Sequence, residues 1–124
     1  MKKGLTSLYE VNCLLEFYIK NSLLYNFEED ILNVSDKDVN DLTEDDITYL
    51  MAFSDMIHDL NDIYDGEPSH ICNFLHIKNT HYPFNNLTPV GYVRKSRNQI
   101  MSTMFFVRCL KVYLNHQLYL EHIE

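Results

Sequence analysis

Glycine and proline, the residues that most often interrupt regular secondary structure, occur only three times each among the 124 residues of this chain. Such scarcity disfavours a fold of many short strands and favours a few long elements. A chain of this length typically forms one domain. We therefore expect a single domain over residues 1–124, and the hydrophobic content of 46% is sufficient for a buried core.

Two sequence signals predict where long helices begin. Ser7 followed by Glu10, and Thr43 followed by Asp46, both have the spacing of a capping box. Apolar residues at helical spacing follow each signal. The sequence therefore predicts helices over residues 8–25 and 44–65, with Gly66 ending the second.

The remaining segments predict further helices and one loop. Pro68 suits the first position of a short third helix, and residues 79–91, rich in Asn and Pro, predict a structured loop. Residues 92–123 predict one long helix, or two with a break near Asn115, and we expect one or two short helices within residues 27–42. The chain is thus predicted to be all-α, a compact bundle of about four to five helices. The alternative is an α+β fold with a hairpin over residues 79–93, although β-branched residues are few there.

Acidic residues are concentrated in the first half of the chain. The formal net charge is −8, and nine acids but only one base, Lys37, lie between Glu28 and Asp46. This charge disfavours direct binding to nucleic acid or an anionic membrane and suits a basic protein partner. In the second predicted helix, Asp55, Asp59 and Asp62 fall on one face, where like charges repel. A binding face for a basic partner would explain the arrangement, and so would an internal basic element.

An internal basic element is available near the start of the last predicted helix. Arg94, Lys95 and Arg97 lie where the helix dipole disfavours cations. We expect them to pair with the acidic segment; the alternatives are a solvated face and a site for an anion such as phosphate.

The stretch from Asp36 begins like a calcium-binding loop but lacks two essential residues. Counting Asp36 as position 1, position 6 is Asp41 instead of glycine and position 12 is Ile47 instead of a bidentate glutamate. The sequence therefore argues against an EF-hand.

Several potential metal ligands lie close together in the third predicted helix and the following loop. They are His70, Cys72, His76 and His81, and Cys72 and His76 are separated by one helical turn. Because no familiar zinc spacing is matched, we expect no metal or cofactor and keep a metal-binding enzyme or sensor as an alternative. The three cysteines, Cys13, Cys72 and Cys109, have apolar neighbours and are interpreted as buried reduced thiols.

The sequence contains no motif for catalysis or membrane insertion. It has neither a nucleophile elbow nor a phosphate-binding glycine loop, so we expect no enzymatic activity. No apolar run approaches a membrane span, and the first residues do not resemble a signal peptide, so we expect a cytoplasmic protein.

These observations together favour a protein that acts by binding another protein. We hypothesise an inhibitor, such as an immunity protein, antitoxin or anti-defence factor, that occludes a basic nuclease or nucleic-acid-binding partner. A helical regulatory or structural oligomer, in which the last helix pairs with its copy, is a further alternative. The predicted partner-binding residues are Asp41, Glu44, Asp45, Tyr49, Phe53, Asp55, Asp59 and Asp62.

Overall fold

A computed structural model describes residues 7–122 as helices joined by turns, with no strand within that range. Two short 3-10 turns, Val39–Asp41 and Arg97–Gln99, accompany the α-helices. The five α-helices are α1 (Leu8–Leu24), α2 (Glu44–Ile63), α3 (Pro68–His76), α4 (Pro89–Lys95) and α5 (Ile100–His122). The prediction of an all-α bundle is confirmed, and the hairpin alternative is wrong because residues 79–93 hold turns and the start of α4.

Both predicted helix starts are capped as the sequence indicates. The Ser7 hydroxyl accepts the backbone N–H of Glu10 at 3.2 Å. At α2 the Thr43 hydroxyl accepts the Asp46 N–H at 3.1 Å, and the Asp46 carboxylate accepts the Thr43 N–H at 2.9 Å. Gly66, in the turn after α2, has a φ of +71°, the left-handed conformation typical of residues beyond a helix end.

The core is built around α2, which runs parallel to α5. The parallel direction follows from two ion pairs, because Asp46 pairs with Arg97 and Asp59 with Arg108. Burying the apolar face of α2 against α1 and α5 supplies the main hydrophobic stabilisation of the fold. The fully buried side chains of α2 include Leu50, Phe53, Ile57 and Leu60, and those of α5 include Ile100 and Val107.

The segment between α1 and α2 is less helical than expected. Residues 27–42 contain turns and the single 3-10 turn at Val39–Asp41 instead of one or two short α-helices. A buried tyrosine replaces the missing helical hydrogen bonds: the Tyr18 hydroxyl donates to Asp30 Oδ1 at 2.7 Å and accepts the Leu32 N–H at 3.0 Å. Burial, with the hydrogen bond to Asp30, raises the pKa of Tyr18 well above its usual range.

The last third of the chain breaks at Ser96, so the prediction of a continuous helix or a break near Asn115 is wrong. α4 begins at Pro89, before the predicted residue 92, because the Thr88 hydroxyl caps it by accepting the Gly91 N–H at 2.9 Å. Ser96 is extended, with φ −161° and ψ 122°, and this redirects the chain before α5. α5 then continues without interruption through Asn115.

The predicted loop before α4 is confirmed as an ordered structure. Its ends are joined by two backbone hydrogen bonds, from the Asn79 N–H to the Leu87 carbonyl at 3.0 Å and from the Asn86 N–H to the Asn79 carbonyl at 2.9 Å. Phe84 at the loop centre is fully buried and contacts the Phe106 ring of α5, with a centroid separation of 5.0 Å. The loop is therefore anchored by a core aromatic side chain.

Candidate protein-binding surface

The start of α2 presents a set of exposed carboxylates. Glu44 and Asp45 occupy the first turn, where the helix dipole favours anions, and Asp41 ends the preceding 3-10 turn. All three are exposed. Of the nine acids between residues 28 and 46, seven are exposed and form no ion pair within residues 7–121: Glu28, Asp30, Asp36, Asp38, Asp41, Glu44 and Asp45.

Asp46, the next residue, has a different role because it is fully buried. Its carboxylate accepts a hydrogen bond from Lys37 Nζ at 2.8 Å and another from Arg97 Nη1. Burial raises the pKa of Asp46, but the bonds from Lys37, the Thr43 N–H and Arg97 outweigh it and lower the pKa to about 2. This carboxylate therefore remains ionised, and it joins α2 to the turn before α5 and to the segment between α1 and α2, which we call the linker.

The aspartates of α2 predicted to form one binding face are divided between two roles. Asp59 is buried and accepts bonds from Arg108 Nε at 2.6 Å and Lys111 Nζ at 3.3 Å. Asp62 also accepts from Lys111, at 2.7 Å, which lowers the pKa of Asp62, but its side chain is exposed. The expectation that Asp59 contacts a partner is therefore corrected, since α5 already covers and neutralises its charge. Asp55 is exposed and has no ion pair within the described residues.

The basic residues after the loop mostly pair with acids of the same chain, as expected. Arg97 pairs with Asp46, and Arg94 Nε lies 3.2 Å from Glu29 Oε2 on the surface. Lys95 is exposed and has no ion pair within the part of the chain described. The preferred interpretation, internal pairing, is confirmed for Arg94 and Arg97.

One of the two aromatic residues among the predicted partner-binding residues is part of the core. Phe53 is 0% exposed and contacts the Tyr18 ring edge-on at 5.0 Å, so it cannot reach a partner and that prediction is wrong. Tyr49 is half-buried, and the Arg97 guanidinium lies 5.0 Å from its ring centre. This cation–π contact fixes the Tyr49 ring beside the exposed start of α2.

A cleft between α1 and α2 is lined by aromatic side chains that a partner could contact, unlike the buried Phe53. Its volume is about 420 Å³, and Asp55 lies at its wall. Its remaining lining is largely apolar and comes from both helices, including Tyr9, Cys13, Leu14, Phe17 and Met51. The sequence contains a signal for this cleft, because Met51 and Asp55 are one helical turn apart on α2.

The exposed acids and the cleft lie along one face of α2. Glu44, Met51, Asp55 and Asp62 are all exposed and fall within a narrow sector of the helix at 3.6 residues per turn. Glu44 and Asp55 are about 16 Å apart along the axis, from the rise of 1.5 Å per residue. The face therefore combines carboxylates at both ends with an apolar cleft between α2 and α1.

The residues considered as metal ligands contact other groups of the chain instead of converging on one point. His76 Nε2 lies 2.6 Å from the carbonyl oxygen of Tyr25, and Cys72 Sγ donates to the same oxygen at 3.7 Å. His70 contacts the Tyr64 ring, while His81 bonds to the loop residue Asn79. Within the described residues, no group of three or more His, Cys, Asp and Glu side chains could hold a metal ion. Cys72 and His76 instead complete the C-terminal end of α1.

The cysteines differ from the interpretation as buried thiols. Cys13 lines the α1–α2 cleft and is exposed, Cys109 is exposed on α5, and only Cys72 is half-buried. Cys13 and Cys109 lie on the outer surfaces of their helices, where an apolar sequence neighbour does not imply burial because adjacent helix positions face different directions.

Comparisons with known proteins do not assign this fold and surface to a family. No family model, curated protein or solved structure matches the chain. Among the described residues, no helix has the length and apolar character needed to cross a membrane.

Proposed function

We propose that this protein binds a basic protein, such as a nuclease or another nucleic-acid-binding protein, and inhibits it by covering its nucleic-acid-binding surface. The observation that carries the proposal is the exposed face of α2, where Asp55 lines a largely apolar cleft and Glu44 is exposed on the same side of the helix. Asp41 and Asp45 extend the acidic character at the start of the helix.

The cleft suits a lysine or arginine side chain of such a partner. The aliphatic part of the side chain would lie against Phe17 and Met51, and its charged end would reach the Asp55 carboxylate at the wall. Arginine would also stack on the exposed Tyr9 ring. A carboxylate at the edge of an apolar cleft therefore selects a long basic side chain over an acidic or a short polar one.

The surrounding acids would act mainly on the rate of association. Seven exposed carboxylates without an ion pair in the described residues lie between residues 28 and 45, and they produce a negative field that attracts a positively charged surface over a distance of about one Debye length, roughly 8 Å at physiological salt. Once bound, they would take the positions of phosphate groups on the partner. Inhibition then results from occlusion and requires no chemical step by this chain.

The test is affinity capture from host lysate, followed by an activity assay of the captured protein. We expect one basic protein to be retained near stoichiometry at moderate salt by the wild-type chain. Its nuclease or nucleic-acid-binding activity should fall when this chain is added. The double variant Glu44→Lys/Asp55→Lys should lose both effects, because it reverses the charge at both ends of the cleft-bearing face.

A matched control separates this face from net charge. Glu67→Lys/Glu121→Lys changes the net charge by the same amount at exposed positions before α3 and on α5. The control should retain the partner. Equal loss of binding in both double variants, or a diffuse set of proteins that washes off as salt rises, would contradict the proposal.

A further inference from the structure

The end of α5 extends beyond the helix that it packs against. α2 ends at Ile63, and its last ion pair to α5 joins Asp62 to Lys111. From Val112 to Glu121 every side chain of α5 is exposed. Several of these are large and apolar, with Tyr113 58% and Tyr119 62% exposed. Exposed aromatic side chains at this density are unusual on a monomeric surface.

A continuous uncharged stripe runs along α5 on the side away from α2. Its members fall within about 80° around the helix and span about 27 Å along it, from the geometry of the α-helix. Phe105 is 66% and Val112 61% exposed. The stripe consists of Met101, Phe105, Cys109, Val112, His116 and Tyr119, which we call the outer stripe, and all six are exposed.

A cleft of about 490 Å³ adjoins the first half of the outer stripe. It lies between α5 and the loop that contains the Tyr82–Pro83 peptide, and it is lined by Tyr82, Pro83, Met101, Phe105 and Phe106 together with Ser102 and Cys109. Tyr82 is 84% exposed at its edge. The first half of the stripe thus offers a cavity large enough for aromatic side chains, and the second half offers exposed aromatic side chains.

We propose that two copies of this chain associate through antiparallel packing of their outer stripes, with the second half of each stripe covering the cleft of the other copy. Antiparallel pairing places Met101 opposite Tyr119, Phe105 opposite His116 and Cys109 opposite Val112. Large side chains then lie at both ends and the two smallest lie at the centre. This order is nearly the same when read in either direction, which is the self-complementarity that a two-fold interface requires.

The distribution of charge also favours a second copy over a basic partner at this surface. Between Ile100 and Leu120 the chain contains no acid, and its two bases, Arg108 and Lys111, are paired with aspartates of α2. Two copies of a chain with net charge −8 can therefore meet here without bringing carboxylates into contact. A basic protein would instead be attracted to the acidic face of α2, so the two surfaces are compatible with simultaneous use.

The first test is the oligomeric state of the whole chain under reducing conditions. Sedimentation velocity over a range of concentrations should give a species of twice the 14.8 kDa chain mass. Phe105→Glu should weaken the dimer by roughly 100-fold or more, because it places a charge in the stripe. Leu23→Glu is the matched control, since Leu23 on α1 is 75% exposed and lies outside the stripe. Circular dichroism should show both variants folded.

Cross-linking tests the antiparallel arrangement independently of these variants. In a background with Cys13 and Cys109 changed to serine, Met101→Cys and Tyr119→Cys proteins are mixed and treated with a short bis-maleimide. The mixture should form cross-linked pairs, whereas each protein alone should not, because identical positions near the stripe ends would be about 27 Å apart. A monomer at every concentration, an unchanged Phe105→Glu dimer, dissociation by Leu23→Glu, or cross-linking of each protein alone would overturn the proposal.

Discussion

The buried carboxylate of Asp46 forms an ion pair with the guanidinium of Arg97, which lies 51 positions later in the chain. The same Arg97 nitrogen donates to the Leu32 carbonyl at 3.1 Å, and the guanidinium lies over the Tyr49 ring. One arginine therefore connects the linker, α2 and the turn that precedes α5. This pairing gives a physical reason for the chain to turn at Ser96, because a helix continuing through Ser96 would direct residue 97 differently.

Replacing Asp46 with asparagine should destabilise the fold strongly. The substitution preserves the shape and the capping acceptor but leaves Lys37 and Arg97 without their carboxylate, so we expect a loss of roughly 2–4 kcal/mol in the free energy of unfolding. Urea denaturation at pH 7 measures it. Asp45→Asn removes a charge from the same helical turn at an exposed position and should change stability by less than about 1 kcal/mol. Similar losses in the two variants would show that the ion pairs contribute little.

Stability should fall as the pH is lowered from about 5 towards 2. The pKa of Asp46 is lowered from 3.8 to about 2 in the folded chain, so the unfolded chain takes up the proton first. The resulting stabilisation, roughly 2 kcal/mol, is present above pH 5 and is lost as the pH approaches the folded pKa. The pKa of Asp30 is also lowered, because hydrogen bonds from Tyr18 and the backbone outweigh its burial, and it acts in the same direction. Urea denaturation at several pH values should give a shallower dependence for Asp46→Asn than for the wild type.

The helix boundaries could be predicted where the determining residues are adjacent in sequence. Ser7 and Thr43 cap the helices that follow them, and Pro68 occupies the first turn of α3. The break at Ser96 could not be predicted in this way. Its position is accompanied by a contact between Arg97 and a residue 51 positions earlier, and no local pattern encodes that contact.

The candidate site was predictable as a region but not residue by residue. The capping-box spacing distinguishes Asp46 from Asp45 only as a helix-start residue, and nothing in the local sequence indicates that Asp46 alone has cations beside it in the fold. Asp59 shares a helix face with Asp55 but lies at its edge, where α5 supplies Arg108. The sequence identifies the density of carboxylates, whereas tertiary packing decides which of them remain available to a partner.

Asp59 and Asp55 should therefore respond differently to the same substitution. Asp59→Asn removes a buried acceptor for Arg108 and Lys111 and should destabilise the fold by roughly 2 kcal/mol. Asp55→Asn, one helical turn earlier and exposed, should be neutral or slightly stabilising because it removes a like charge from the helix face. Thermal unfolding of both variants at pH 7 tests this. An equal effect would mean that Asp59 is not coupled to α5.

The contact between His76 and the Tyr25 carbonyl predicts both a stability effect and an absence of response to zinc. The distance of 2.6 Å requires the His76 Nε2 to carry a proton and donate, so this nitrogen is not available to a metal. His76→Leu should lower the free energy of unfolding by roughly 1 kcal/mol, because it leaves a carbonyl at the end of α1 with only the weaker Cys72 donor. His76→Gln retains an N–H donor and should lower the free energy of unfolding by less.

Thermal unfolding with and without zinc, on protein lacking a histidine tag, tests the expected absence of a response to the metal. We expect no zinc-dependent rise in melting temperature for the wild type. A rise that disappears in His76→Gln would instead show that this histidine exchanges its carbonyl contact for a metal.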